Sequence, residues 1–201
     1  MTPAYDGSQV DGSVYTDVTG LAHRAPGWLD DVISAWSTYG VLLFAVLMVI
    51  AWWRARRAGA ATVVGALAVP LITMLAFGVD LLLKSVFRED RPCQTLHVVT
   101  LEACPAPGDW SFPSNHTAIA AAVAVALLFV SRRLGALALV AAVLMAASRV
   151  WVGAHYPHDV LAGFLVGAAV ACVAGWAVRR HQAALAERLK GTPLRPLVAG
   201  A

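Results

Sequence analysis

Residues 60–92 read AATVVGALAVPLITMLAFGVDLLLKSVFREDRP. Up to Leu83 the stretch is almost wholly apolar, with Asp80 its only charge. A helix needs about 20 such residues to cross the hydrocarbon core of a bilayer. A helix that is apolar on every face is surrounded by protein or by lipid. The next turn changes character, and Lys84, Arg88 and Arg91 follow in quick succession. The pattern predicts a transmembrane helix that ends in a cationic mouth.

Working outward, four more stretches have the same apolar character: about 35–53, 114–131, 134–152 and 160–178. The third span in chain order is the shortest as a purely apolar run, Thr117 to Val130, and reaches helix length only from Ser114. Gly, Ala and Ser recur in all five, which suits close helix contacts inside a membrane. Over 201 residues, 59% are hydrophobic and 13% are charged. The charged share is about half the roughly 25% of soluble domains. A soluble globule, a disordered chain and a nucleic-acid binder with a basic face are all excluded by this balance.

The expected fold class is therefore all-α: a polytopic membrane helical bundle of about five transmembrane helices plus an N-terminal interfacial helix. Residues 1–20 read as a flexible tail, 21–180 as the membrane domain and 181–201 as a tail that starts with a short polar helix. Leu21–Ile33, with Trp28 beside Asp30 and Asp31, suits the interfacial helix. The first 32 residues have neither the basic start nor the apolar core of a signal peptide, so the first span serves as an uncleaved membrane signal.

Charge placement orients the bundle. If the chain changes sides at each span, ten of the 15 Lys and Arg residues gather on one side, from Arg54 to Arg195. Of the 12 acids only Glu187 joins them. The positive-inside rule puts that side in the cytoplasm, with the C-terminus. The N-terminus and the 84–113 loop then face outward from a bacterial cytoplasmic membrane.

Three polar segments meet on the outward side. Lys84 and Arg91 bring two cations to one helix exit, an ammonium point charge and a guanidinium fork, as an anion requires. Snorkelling interfacial charge is the alternative for this pair taken alone. Pro113, Ser114, Asn115 and His116 open the next helix, whose first-turn N–H groups make an anion site, with His116 placed to donate a proton. Arg149, His155 and Asp159 follow. A carboxylate four residues beyond a histidine can hold one ring nitrogen and leave the other free as nucleophile or base.

Together the segments resemble the signature of the type 2 phosphatidic acid phosphatase superfamily, K-x6-R-P, P-S-G-H and S-R-x5-H-x3-D. The chain carries Lys84-x6-Arg91-Pro92, then Pro113-Ser114-Asn115-His116, then Ser148-Arg149-x5-His155-x3-Asp159. Asn115 stands where the family has glycine. The resemblance implies that His155 attacks phosphorus, Asp159 holds its ring and His116 protonates the leaving oxygen. It assigns the phosphoryl oxygens to Lys84, Arg91, Ser114, Asn115 and Arg149. It further implies chemistry without a metal or other cofactor, on a lipid phosphate or diphosphate reaching the site from the bilayer.

Among lipids, a polyprenyl diphosphate cleaved to the monophosphate is the leading expectation. Phosphatidylglycerophosphate, phosphatidic acid and a decaprenyl phosphoribose phosphate are the alternatives, and a non-enzymatic lipid transporter or binding protein is the alternative of another class. The same motifs occur in soluble vanadate haloperoxidases, which five spans in so short a chain argue against. Around the site, Asp80 is expected to pair with Lys84 or Arg149, because an unpaired carboxylate inside a span is costly. Arg88 is a second supporting candidate. His97 and His158 read as structural or solvent-facing. Cys93 and Cys104 can close the outward loop as a disulfide, and Cys172 reads as a packing residue.

Overall fold

The computed structural model describes residues 4–193. They form an all-α bundle of eight helices: α1 (Ser8–Ala22), α2 (Gly27–Tyr39), α3 (Val41–Ala55), α4 (Ala60–Phe87), α5 (Pro92–Thr95), α6 (Asn115–Val130), α7 (Arg132–Trp151) and α8 (Pro157–Lys190). Three of them, α4, α7 and α8, are each long and apolar enough to cross a membrane. The first expected span is instead the pair α2 and α3, bent by 52° around Gly40. Counted as one, the pair brings the total to four.

The fifth apolar stretch is α6, which at 16 residues is shorter than a bilayer-spanning helix. It is the central helix, with Ala118, Ala120, Ala121, Ala122, Val123 and Ala124 wholly buried. Its neighbours α3, α4, α7 and α8 pack around it, with Phe44, Leu47, Ile72 and Met145 among the buried contacts. Close approach of α8 depends on two glycines. A Cβ on Gly163 would lie 2.5 Å from the Ser114 carbonyl oxygen, and one on Gly167 would collide with that of Ala118. Small residues at such intervals let membrane helices pack backbone against backbone. The contact also sets the mouth of the bundle, because Ser114 N donates to Asp159 O at 3.0 Å.

Two boundary expectations are corrected. Residues 8–20, read as part of a flexible tail, belong to α1, which is interrupted at Asp11. Local composition gives little sign of this helix, and tertiary contact holds it. Tyr15 is fully buried, packs against Tyr156 and donates its hydroxyl to Gly153 O at 2.9 Å. The interfacial helix expected over Leu21–Ile33 is accordingly divided between the end of α1 and the start of α2. At the other end α8 continues without a break to Lys190, so the first half of the expected tail extends that helix. Residues 194–201 lie outside the described part. Cys172, expected as a packing residue, is exposed on α8.

Candidate active site

The turn between α7 and α8 carries His155, the expected nucleophile. Gly153 sits at φ 82°, a conformation that a side chain disfavours. Ala154 N and His155 N both return to the Arg149 carbonyl, at 3.1 and 3.3 Å. Pro157 then starts α8 at a position where no N–H is needed. The Asp159 carboxylate reaches back to accept from Tyr156 N at 2.9 Å. Arg149, His155 and Asp159 are thereby fixed by one short stretch of backbone.

The hydrogen bonds set the tautomer of His155. Arg91 Nη1 lies 3.2 Å from His155 Nε2. A guanidinium only donates, so Nε2 accepts and the ring proton sits on Nδ1. Nδ1 faces Asp159 Oδ2 at 3.4 Å and Ser111 Oγ at 3.3 Å. Ser111 in turn donates to Asp159 Oδ2 at 2.5 Å. The nitrogen with the free lone pair is the one among the cations. Burial first, and then Arg91, Arg149 and Lys84, hold the His155 imidazole well below its ordinary range, so it is neutral at physiological pH.

A cavity of about 250 Å³ opens in front of this group, lined by residues that include Arg91, Asn115, His116, Arg149 and His155. Asn115 Oδ1 is buried there without a hydrogen-bond partner in the protein. Both guanidiniums are held by carboxylates of the 93–112 loop. Arg91 Nη2 donates to Asp109 Oδ1 at 3.0 Å, and Arg149 Nη1 to Glu102 Oε1 at 2.7 Å and to Ser37. The same loop is closed by a Cys93–Cys104 disulfide. Such a pocket, cationic yet satisfied by displaceable anions, can accept a phosphoryl group between two arginine forks.

The other expected residues are distributed differently. Lys84 stands behind the cavity and donates to the carbonyls of Trp110 and Ser111 at 2.7 and 3.3 Å, supporting the strand of loop that carries Ser111. Ser114 is wholly buried at the start of α6 and accepts from Thr117 Oγ1 at 3.2 Å. The ion pair expected of Asp80 does not form. Asp80 is fully buried, and among the described residues neither carboxylate oxygen has a hydrogen-bond donor. The ammonium of Lys84 is drawn to the loop carbonyls instead, and Arg149 to Glu102. Arg88 does not support the site either. It caps the end of α4 in a left-handed conformation, and its Nε donates to Ser85 O at 3.0 Å. Sequence reading missed Ser37, Glu102, Asp109 and Ser111. Nothing local marks them, since each matters only through a partner far along the chain.

A sequence model of the PAP2 superfamily matches residues 63–183, which include all three signature segments. The chain belongs to the PAP2 superfamily. Among PAP2 relatives it is 30% identical over 153 residues to the undecaprenyl-diphosphatase BcrC of Bacillus subtilis, 76% of each chain. It is 33% identical over 135 residues to decaprenylphosphoryl-5-phosphoribose phosphatase of Mycobacterium tuberculosis, 67% of this chain and 69% of that one. The crystal structure of Aquifex aeolicus LpxE superposes with a TM-score of 0.65 at 24% identity, over 86% of this chain and 98% of that one. This last likeness concerns the fold. PAP2 membership and the apolar helices make the protein a multi-pass membrane hydrolase of lipid phosphates or diphosphates.

Proposed function

We propose that the protein hydrolyses a polyprenyl diphosphate to the monophosphate through a phosphohistidine on His155. The observation that carries the reading is the orientation of the His155 ring, with Nδ1 against Asp159 and Nε2 among the cations of the cavity. The Nε2 lone pair attacks the terminal phosphorus while the bond to the bridging oxygen breaks. His116, on the same cavity wall, gives its proton to that oxygen. Water then attacks the phosphohistidine, losing a proton to His116, and phosphate leaves with His155 restored.

Arg91 and Arg149 turn from Asp109 and Glu102 to the equatorial oxygens. Fixed positive charge at those oxygens is the main source of acceleration in phosphoryl transfer. The backbone N–H groups at the start of α6 add to it, with Ser114 and Asn115 shaping that turn. Lys84 contributes its field from behind Ser111. The chain's own residues supply nucleophile, acid and charge, so the reaction as written calls for no metal.

The polyprenyl reading rests on the relative with the greater coverage, an undecaprenyl-diphosphatase. The decaprenylphosphoryl-5-phosphoribose phosphatase similarity favours a phosphomonoester as the second reading. The charge asymmetry of the loops supports a site that faces outward, where the lipid headgroup meets it. Phosphate release by the purified protein in EDTA, with His155→Ala as the blank, tests both. Preference for the polyprenyl diphosphate over a polyprenyl phosphosugar phosphate, phosphatidylglycerophosphate and phosphatidic acid is expected. Preference for a monoester would move the assignment to the second reading.

A further inference from the structure

His158 lies one residue before Asp159 on α8, outside the signature, and both of its ring nitrogens are engaged. Nδ1 is 2.7 Å from Asp11 Oδ1, and Nε2 is 2.9 Å from Glu89 Oε1. Carboxylate oxygens accept, so both nitrogens donate and the ring is an imidazolium. It is stacked on Tyr156 at 5.4 Å and on Phe112 at 6.0 Å. Its backbone N–H also donates to Asp11 Oδ2, at 2.7 Å. Asp11 is the residue at which α1 leaves helical geometry, with φ −149° and ψ 28°. The break thus coincides with the carboxylate that grips the ring.

The same imidazolium faces the candidate catalytic carboxylate. His158 Nε2 is 3.5 Å from Asp159 Oδ1, the oxygen opposite the one that faces His155. Asp159 is wholly buried, and Oδ1 has no hydrogen-bond partner among the described residues. Glu89, only 3% exposed, is its anionic neighbour across His158. Two buried carboxylates oppose each other's ionisation unless a cation stands between them. The facing groups are Asp11 from α1, Glu89 from the segment after α4, and Asp159 and Tyr156 from the α8 end. His158 is the cation among them.

We infer that His158 is a positioning residue: its imidazolium, clamped by Asp11 and Glu89, keeps Asp159 ionised so that Asp159 holds the Nδ1 proton of His155. The inference rests on the proposed role of His155. It gives α1 a task in the chemistry, because Asp11 on that helix secures the cation. Glu89, His158 and Asp159 also have the spacing of a metal site. The direct contact of Nε2 with Glu89 at 2.9 Å favours the proton over an ion.

The test compares the full-length wild-type protein with His158→Gln, Glu89→Gln and the double variant. The readouts are phosphate release from polyprenyl diphosphate between pH 4 and 9 in EDTA, and the melting temperature in detergent. His158→Gln removes the charge and keeps hydrogen-bonding capacity. It should lower kcat about 10–100-fold, the range of losing support to an acid–base group, with KM within about threefold. Its acid limb should move towards neutrality, because Glu89 then opposes Asp159 with only Lys84, beyond ion-pair distance, to offset it. Adding Glu89→Gln should move the limb back and restore part of kcat, although it removes a further native contact. A purely structural role predicts additive losses and an unmoved limb. That result overturns the inference, as does loss of wild-type activity in EDTA, which would give the three side chains to a metal. Phosphate release that is equal in His155→Ala would overturn the histidine reading itself, and the role of His158 with it.

Discussion

Glu102 and Arg149 meet at 2.7 Å across the cavity mouth, the carboxylate coming from the disulfide-closed loop and the guanidinium from the end of α7. Ser37 on α2 touches both, donating to Glu102 Oε1 at 2.7 Å. On the proposed mechanism a substrate phosphoryl group takes the place of Glu102 on Arg149. The same holds for Asp109 on Arg91. Both guanidiniums are therefore held by carboxylates of their own chain.

Neutralising that competitor should strengthen anion binding. Glu102 is about a quarter exposed on its side chain, so solvent screens part of the pair. For Glu102→Gln we expect orthovanadate, a mimic of the transferring phosphoryl group, to inhibit about 3–10-fold more tightly. Weaker inhibition would mean that Glu102 holds Arg149 in its working position and does not merely occupy it.

The acid limb of activity follows from His155. Attack needs the neutral ring, and the free protein holds that ring well below the ordinary value of 6.5. As pH falls, the limb of kcat/KM set by His155 should lie below the ordinary imidazole range, since kcat/KM reports the free enzyme. The limb of kcat should lie at higher pH, because a bound phosphoryl anion offsets Arg91, Arg149 and Lys84. A kcat/KM limb centred at 6.5 or above would contradict the buried, cation-surrounded histidine.

Much of this arrangement was legible beforehand. The bilayer forces long apolar runs, so α4, α7 and α8 stand out in the chain, and the signature residues lie at their ends. Where reading failed, distant partners decided the outcome. Nothing near Tyr15 announces that its hydroxyl will meet Gly153, so α1 looked like a tail. Asp80 and Lys84 sit one turn apart, as a helical ion pair should, yet the loop carbonyls take the ammonium. Glu102 and Asp109 lie in a stretch without periodicity, and only the closed loop reveals which arginine each one meets. Gly40 bends the first span because α2 leans on α7, where Trp151 donates to Asp30 at 2.8 Å.

Removing the loop's covalent closure should loosen the mouth. A link spanning 11 residues restricts the unfolded chain by about 3 kcal/mol. The double variant Cys93→Ser and Cys104→Ser should melt at lower temperature. Its KM should fall while kcat changes less, since the loop carries the competing Glu102 and Asp109 carboxylates and His155 sits on α7–α8 backbone. Unchanged KM would separate the loop from substrate binding.

Gly163 tests the packing that joins the two halves of the site. A methyl group there would lie 2.5 Å from Ser114 O, and α6 would have to move away from α8. Gly163→Ala should cost about 1–3 kcal/mol through overpacking. Activity should fall by more than the loss of folded protein, because His116 and His155 ride on the separated helices. Wild-type stability and rate would show that the contact yields without disturbing the site.

The central claim is a covalent bond between His155 and phosphorus. The direct measurement is rapid mixing with polyprenyl diphosphate labelled in its terminal phosphate, followed by an alkaline quench that preserves phosphohistidine, digestion and mass spectrometry. Label is expected on the peptide containing His155, formed within one turnover, slower both to form and to disappear in His116→Ala, and missing in His155→Ala. Turnover that proceeds with no label on that peptide, and at an undiminished rate in His155→Ala, would contradict it.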